Sequence, residues 1–265
     1  MPRIAVPELE DYPAFPVVLR DAMTGFLRVA SEFIGVSAVA APLVAEAMDA
    51  IGSEQIVDLC SGGGGPVLSL VRRLRETHGR AAEATLTDKF PNLAAFERAE
   101  RELPDCVRGV RESIDATAVP DALRGVRTIF NAFHHLPPDI ARAVLADAAQ
   151  KRQPILSFEF VERSAQGLAV LGLIPTAVCV LTPFVRPTRL STLALTYVVP
   201  VLPMTILWDG FASCLRAYSV AELEAMVAPL NSADYHFRVE QRRPPILPGY
   251  ITCVVGMPTR AATAR

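Results

Sequence analysis

The chain has 265 residues, enough for one large domain or a domain with a sizeable insertion. Its formal charge is −2 with no basic cluster, so the electrostatic footprint of a nucleic-acid binder is missing. Hydrophobic residues make up 51% and charged residues 20%, and mean hydropathy is +0.30, apolar for a soluble protein.

Residues 1–12 are acidic and proline-containing with no apolar signal core, so a cytoplasmic location is expected. Leu19, Met23, Phe26, Leu27, Ala30, Phe33 and Ile34 recur at helical spacing opposite Arg20, Asp21, Arg28 and Glu32; this predicts a helix over 15–34. A second is predicted over 38–51, stopped by Gly52. Residues 1–52 read as an N-terminal helical cap, over either a ligand pocket or one face of a sheet.

Ile56-Val57-Asp58-Leu59-Cys60-Ser61-Gly62-Gly63-Gly64-Gly65-Pro66 follows: a short buried strand, an acid, a glycine run, and a first-turn proline opening a helix that runs to Gly79. Such a corner binds nucleotides, because glycine lets the backbone approach a ligand closely. Strands are then predicted over 84–88, 107–114, 126–133 and 154–160, with helices over 91–103 and 138–150. This alternation implies a doubly wound, mostly parallel α/β sheet. Ser219 and Glu222 form a capping box before another helix. Residues 236–243 and 250–257 read as an antiparallel hairpin joined through the proline-rich stretch 244–249. The five cysteines, Cys60, Cys106, Cys179, Cys214 and Cys253, lie far apart with no CxxC. That favours a reducing compartment and argues against a disulfide framework or a zinc site; no metal is expected.

Three successive predicted strands end in a carboxylate: Asp58, Asp88 and Asp115. Ligands bind at the carboxyl ends of such strands. Asp88 suits the vicinal hydroxyls of a ribose, and Asp115 an adenine amino group. Asp58 beside a pyrophosphate would set like charges together; it suits a cofactor bearing an amino group and a sulfonium. Taken singly, Asp58 also reads as a turn cap and Asp88 as the N-cap of the next helix.

The segment Asp58-Leu59-Cys60-Ser61-Gly62-Gly63-Gly64 resembles the first motif of class I S-adenosylmethionine-dependent methyltransferases. Asp88 falls at that family's ribose-binding acid, Ile114-Asp115-Ala116 resembles its adenine-contacting segment, and 130–138 is similar to its fourth-strand motif. The resemblance covers residues 54–160 and 218–257. It implies a seven-stranded Rossmann-like sheet, S-adenosylmethionine as cofactor, and contacts from Asp58, Cys60, Ser61, Gly62, Gly64, Asp88, Lys89, Asp115, Ala116 and Asn131. Cys60 stands where the family has its first glycine. A nicotinamide oxidoreductase is the alternative enzyme, disfavoured because 62–65 is not a G-x-G-x-x-G run; a non-catalytic membrane-proximal binding protein on the same fold is another. His134 and His135 follow the fourth strand as candidates to orient the cofactor or take a proton from the acceptor, or else to pack. Glu159, Glu162, Asp209, Arg216 and Tyr218 face the acceptor or serve as surface polar groups, and Trp208-Asp209-Gly210 reads as a turn.

Residues 164–210 form a hydrophobic insertion: 165–185 and 190–208 carry no charge, interrupted by Arg186-Pro187-Thr188-Arg189. Each run approaches the ~20 residues of a membrane span. The prolines at 175, 183, 187, 200 and 203 disfavour straight helices, and a hairpin would carry both arginines to the far side, against the positive-inside bias. Shallow contact with the inner face of the membrane, a lid over a hydrophobic or lipid-like small-molecule acceptor, and a homodimer surface through 165–208 remain as readings.

Overall fold

The computed structural model of the chain describes residues 1–12, 14–246 and 249–259. Seven short strands carry the architecture: β1 (Gln55–Asp58), β2 (Glu83–Leu86), β3 (Val107–Gly109), β4 (Val126–Phe130), β5 (Ile155–Glu159), β6 (Tyr235–Arg242) and β7 (Ile251–Pro258). Among the described residues they form one sheet in the order β3-β2-β1-β4-β5-β7-β6. The first five are parallel, and β7 runs antiparallel between β5 and β6. This is the mostly parallel, doubly wound sheet with a closing hairpin that the sequence implies.

Alternate strand residues point to opposite faces. Ile56 and Leu156 join the core beneath α2 (Val36–Ile51), α3 (Gly65–Thr77) and α4 (Leu93–Glu102). Val57 and Ile155 join the other, beneath α5 (Pro138–Gln150) and α10 (Val220–Val227). With helices on both faces, β5 is buried at every position. The N-terminal cap divides its work. Helix α1 (Val17–Ile34) ends at Gly35 with φ 82°, where the chain turns sharply into α2 on the sheet; α1 itself lies elsewhere, over the glycine turn.

Several boundaries differ from expectation. β3 stops at Gly109 rather than residue 114, because the chain peels away and Ile114 N–H donates to the Asp88 carbonyl at 2.9 Å. Asp115 therefore lies in a loop, not at a strand end. β4 stops at Phe130, since Asn131 takes φ 47° and residues 133–135 coil into a 3-10 turn. Asn92, not Asp88, caps α4, its Oδ1 accepting from Ala95 N–H at 3.1 Å. Trp208-Asp209-Gly210 is no turn but the middle of α9 (Val201–Arg216). The Ser219–Glu222 capping box is present. Within the stretch joining β6 and β7, Leu247 and Pro248 lie outside the described residues.

The insertion folds as α6 (Ala165–Leu171), α7 (Ile174–Leu181), α8 (Leu190–Tyr197) and α9. Val178, Leu202 and Ile206 pack with Ala22, Met23 and Phe26 of α1 into a third, separate core. Among the described residues no single helix is long and apolar enough to cross a membrane; three bent helix pairs, two of them within the insertion, meet that test together.

One buried ion pair fastens α5 to the sheet. Arg127 Nη1 on β4 meets Asp147 Oδ2 on α5 at 2.7 Å, with side chains 1% and 9% exposed. Asp147 also accepts from Lys151 Nζ at 2.6 Å. Removing the acid strands a buried guanidinium, so Asp147→Ala is expected to cost ~3–5 kcal/mol in urea unfolding. A loss below ~1 kcal/mol would show that the pair does not hold the layer.

Candidate active site

The site begins where β1 runs out. Leu59 N–H still donates to the Thr128 carbonyl of β4 at 2.8 Å, and then the chain leaves the sheet. Cys60 takes φ 55°, Gly62 52° and Gly64 73°, all in the left-handed region that glycine enters without penalty. Cys60 is thus a side-chain-bearing residue held where glycine is favoured. Ser61 rivets the turn to β2: its hydroxyl donates to the Asp58 carbonyl at 2.9 Å and accepts from Thr87 N–H at 3.1 Å. Over the turn lies α1, so close that a Cβ at Gly63 would stand 2.2 Å from Thr24 Cγ2.

Asp58 is 3% exposed, and Thr128 Oγ1 donates to its Oδ1 at 2.6 Å. Burial pushes its carboxyl up to about 7, against the lowering effect of the Thr128 and Ser61 hydroxyls, with Asp88 adding repulsion. Burial and the surrounding carboxylates raise the Cys60 thiol to about 12, so it stays a thiol.

Asp88 faces the same turn. Its Oδ2 accepts from Gly62 N–H at 2.9 Å and its Oδ1 from Phe90 N–H at 2.8 Å, leaving further lone pairs on both oxygens. Lys89 Nζ reaches Asp115 Oδ2 at 3.0 Å. Hydrogen bonds from Thr117, then Lys89, hold Asp115 down at about 2. Ala116 packs at the margin of the core under β1.

Across the crevice, Asn131 accepts from Phe160 N–H at 3.3 Å and joins the ends of β4 and β5. His134 is 1% exposed. Its Nδ1 lies 2.5 Å from Glu159 Oε2 and its Nε2 3.6 Å from Glu8 Oε1. Burial would lower the imidazole, but Glu159 and Glu8 prevail and raise it to about 9. His135 is more open, facing Glu8 Oε2 and Asp11 Oδ1, each at 3.6 Å. Glu159 also accepts from Phe133 N–H at 2.9 Å. Burial works to raise the Glu8 carboxyl, yet the two histidines hold it below its usual value.

Glu8 escaped the sequence reading; it lies in a strap, residues 1–12, that precedes α1. Asp209 anchors that strap from α9, accepting from Leu9 N–H at 2.7 Å. Arg216 Nη1 donates to Asp11 Oδ2 at 2.6 Å, and Ser213 Oγ to Glu8 Oε1 at 2.9 Å. Tyr218 is spent on the Leu136 carbonyl at 2.6 Å with Arg3 stacked 4.4 Å from its ring. Arg163 pairs with Glu222. The only early signal was a run of acids, Glu8, Glu10 and Asp11, in an apolar chain.

Because the Asp58 carboxyl sits near 7 when folded and near ~4 when unfolded, the folded form holds its proton more tightly. The contribution is intact below about pH 4 and is lost as pH rises through 7. Asp58→Asn is therefore expected to be more stable than the parent at pH 8, the advantage growing by at most ~1.4 kcal/mol per pH unit between 4 and 7. A pH-independent difference in urea midpoints would refute the buried-charge assignment.

No protein-family model matches the chain, and no curated protein does. Among solved structures it is similar to the mitomycin 7-O-methyltransferase MmcR, at 14% identity and TM-score 0.51, covering 87% of this chain and 54% of that one. An O-methyltransferase from neocarzinostatin biosynthesis, NcsB1, solved with S-adenosylmethionine and a naphthoic acid, matches at 19% identity and TM-score 0.46 over 78% of this chain and 49% of that one. The magnesium protoporphyrin IX methyltransferase ChlM from Synechocystis PCC 6803 matches at 14% and 0.47 over 85% and 84%. The chain spans about half the length of the first two. The likeness to MmcR shows the class I methyltransferase fold.

Proposed function

We propose that this chain uses S-adenosylmethionine to methylate a small hydrophobic acceptor. The observation that supports this most is Asp58: a carboxylate sealed beneath a glycine turn, with no ion-pair partner among the described residues. Such a group favours a ligand that brings an ammonium and repels a pyrophosphate, which speaks against a dinucleotide and the oxidoreductase reading. That cofactor supplies an electrophilic methyl on a sulfonium. Asp58 offers the countercharge to its amino group, and Asp88 has lone pairs left for ribose hydroxyls. The backbone of 62–64 permits close approach, and Asp115 with Ala116 borders the adenine side. Helix α1 and the insertion exclude water, so alignment of the acceptor does most of the work. His134 is sealed between carboxylates and acts as a positioning residue. His135, half-buried beside it, is the more open of the two imidazoles.

The insertion supports a lipophilic acceptor from its outer side. Phe184, Leu190, Val198, Met204 and Trp208 are all exposed, Leu190 at 85% and Val198 at 77%. Aromatic and aliphatic side chains beside Arg186 suit a shallow seat at an anionic bilayer surface. Cosedimentation with phosphatidylglycerol vesicles should carry the protein down, and Leu190→Asp with Val198→Asp should release it. A parent protein that stays in the supernatant would overturn membrane contact, and dimerisation lost in the same variant would assign the face to a second copy.

Calorimetric titration is expected to give binding of S-adenosylmethionine and S-adenosylhomocysteine and none of NAD. Asp88→Ala should weaken the adenosyl compounds by ~1–3 kcal/mol, the cost of a lost buried hydrogen-bond partner. Absence of heat with both adenosyl compounds would refute the reading. Binding without turnover on any acceptor would leave a non-catalytic binding protein.

A further inference from the structure

Glu8, His134 and His135 come together from the N-terminal strap and the turn after β4, and one donor atom from each lies within 4.8 Å of the others. His134 Nε2 is buried and has no hydrogen-bond partner among the described residues. It points at Glu8 Oε1 from 3.6 Å, while His135 Nε2 stands 3.6 Å from Glu8 Oε2. These gaps are too long for hydrogen bonds. They match a different geometry: two donors bonded at roughly 2.0–2.1 Å to one tetrahedral ion stand about 3.4 Å apart.

The far side of the His134 ring agrees: its Nδ1 is held by Glu159 Oε2 at 2.5 Å. Metal-binding imidazoles characteristically give their other N–H to a carboxylate, which turns the lone pair toward the ion. Glu8 is prepared as well. Ser213 Oγ donates to its Oε1 at 2.9 Å and Arg216 Nη1 approaches that atom at 3.5 Å, which fixes the carboxylate with one oxygen toward each imidazole. The surrounding charge favours a divalent ion, which on binding displaces the proton that His134 otherwise holds. Glu8, Glu10, Asp11, Asp209 and Glu159 crowd the ends of the strap, against the guanidinium groups of Arg3 and Arg216, which are bonded to backbone carbonyls and to Asp11.

From this constellation we infer that Glu8, His134 and His135 form a divalent-cation site of the zinc type, with two imidazoles, one carboxylate and a position open to water. The ion fastens the strap over the ends of β4 and β5. The site does not depend on the methyltransferase reading.

The test is direct. Chain stripped with EDTA and dialysed against limiting Zn²⁺ is expected to retain one ion per chain by elemental analysis, with competition against a chromogenic chelator giving the affinity. His135→Ala, whose side chain is 26% exposed, should melt like the parent in EDTA yet lose the ion. Glu159→Gln should lower affinity ~10–100-fold through the imidazole it orients. Replacing the other two histidines, His78→Ala with His236→Ala, should leave the stoichiometry intact. No retained zinc in the parent, or equal retention by His135→Ala, overturns the site; loss in the His78/His236 variant assigns the metal to the surface and overturns it too.

Discussion

A carboxyl buried at the end of β1, whose ionisation burial resists up to about pH 7, is the constraint on which the rest of this molecule turns. Asp58 is desolvated, accepts one short hydrogen bond from Thr128, and lies below a turn built from left-handed residues. Left alone it is a cost to folding. Its neighbours are arranged to keep it in place rather than to neutralise it. Ser61 ties β1 to β2, Asp88 holds Gly62, and α1 closes over Gly63 with no room for a side chain. Local sacrifice of stability at a site that a ligand repairs is a familiar trade in binding proteins.

The cap joins two chemistries. On its inner side the N-terminal strap, α9 and the turn after β4 enclose carboxylates, histidines and arginines. On its outer side the same insertion exposes large apolar side chains. Helix α1 bridges the insertion and the glycine turn, since Met23 and Phe26 pack into the insertion while Thr24 touches the turn.

What could be read from sequence was what is local and periodic. The β1–turn–α3 corner, the helix stop at Gly52 and the Ser219 box depend on neighbours within a few residues, and all are present. The lengths of β3 and β4 depend on partners further away: Ile114 leaves the sheet for the Asp88 carbonyl, and Asn131 adopts its left-handed turn between two strand ends. Asp209 looked like a turn because Trp-Asp-Gly is turn-like in composition. It lies in the middle of α9, and its carboxylate serves a strap that precedes it by most of the chain. Glu8 had no periodic signal at all, and only the fold brings it to His134 and His135. At the candidate site, the acids Asp58 and Asp88 were legible from their places after successive strands; their hydrogen-bond duties were not.

The most direct test of the central claim is the proton balance of cofactor binding. Calorimetric titration of S-adenosylmethionine at pH 6, repeated in buffers of different ionisation enthalpy, is predicted to show release of close to one proton per site, because Asp58 is mostly protonated there and ionises to meet the ammonium. Asp58→Asn should abolish that release. Binding with no proton release, or no binding, would contradict the account.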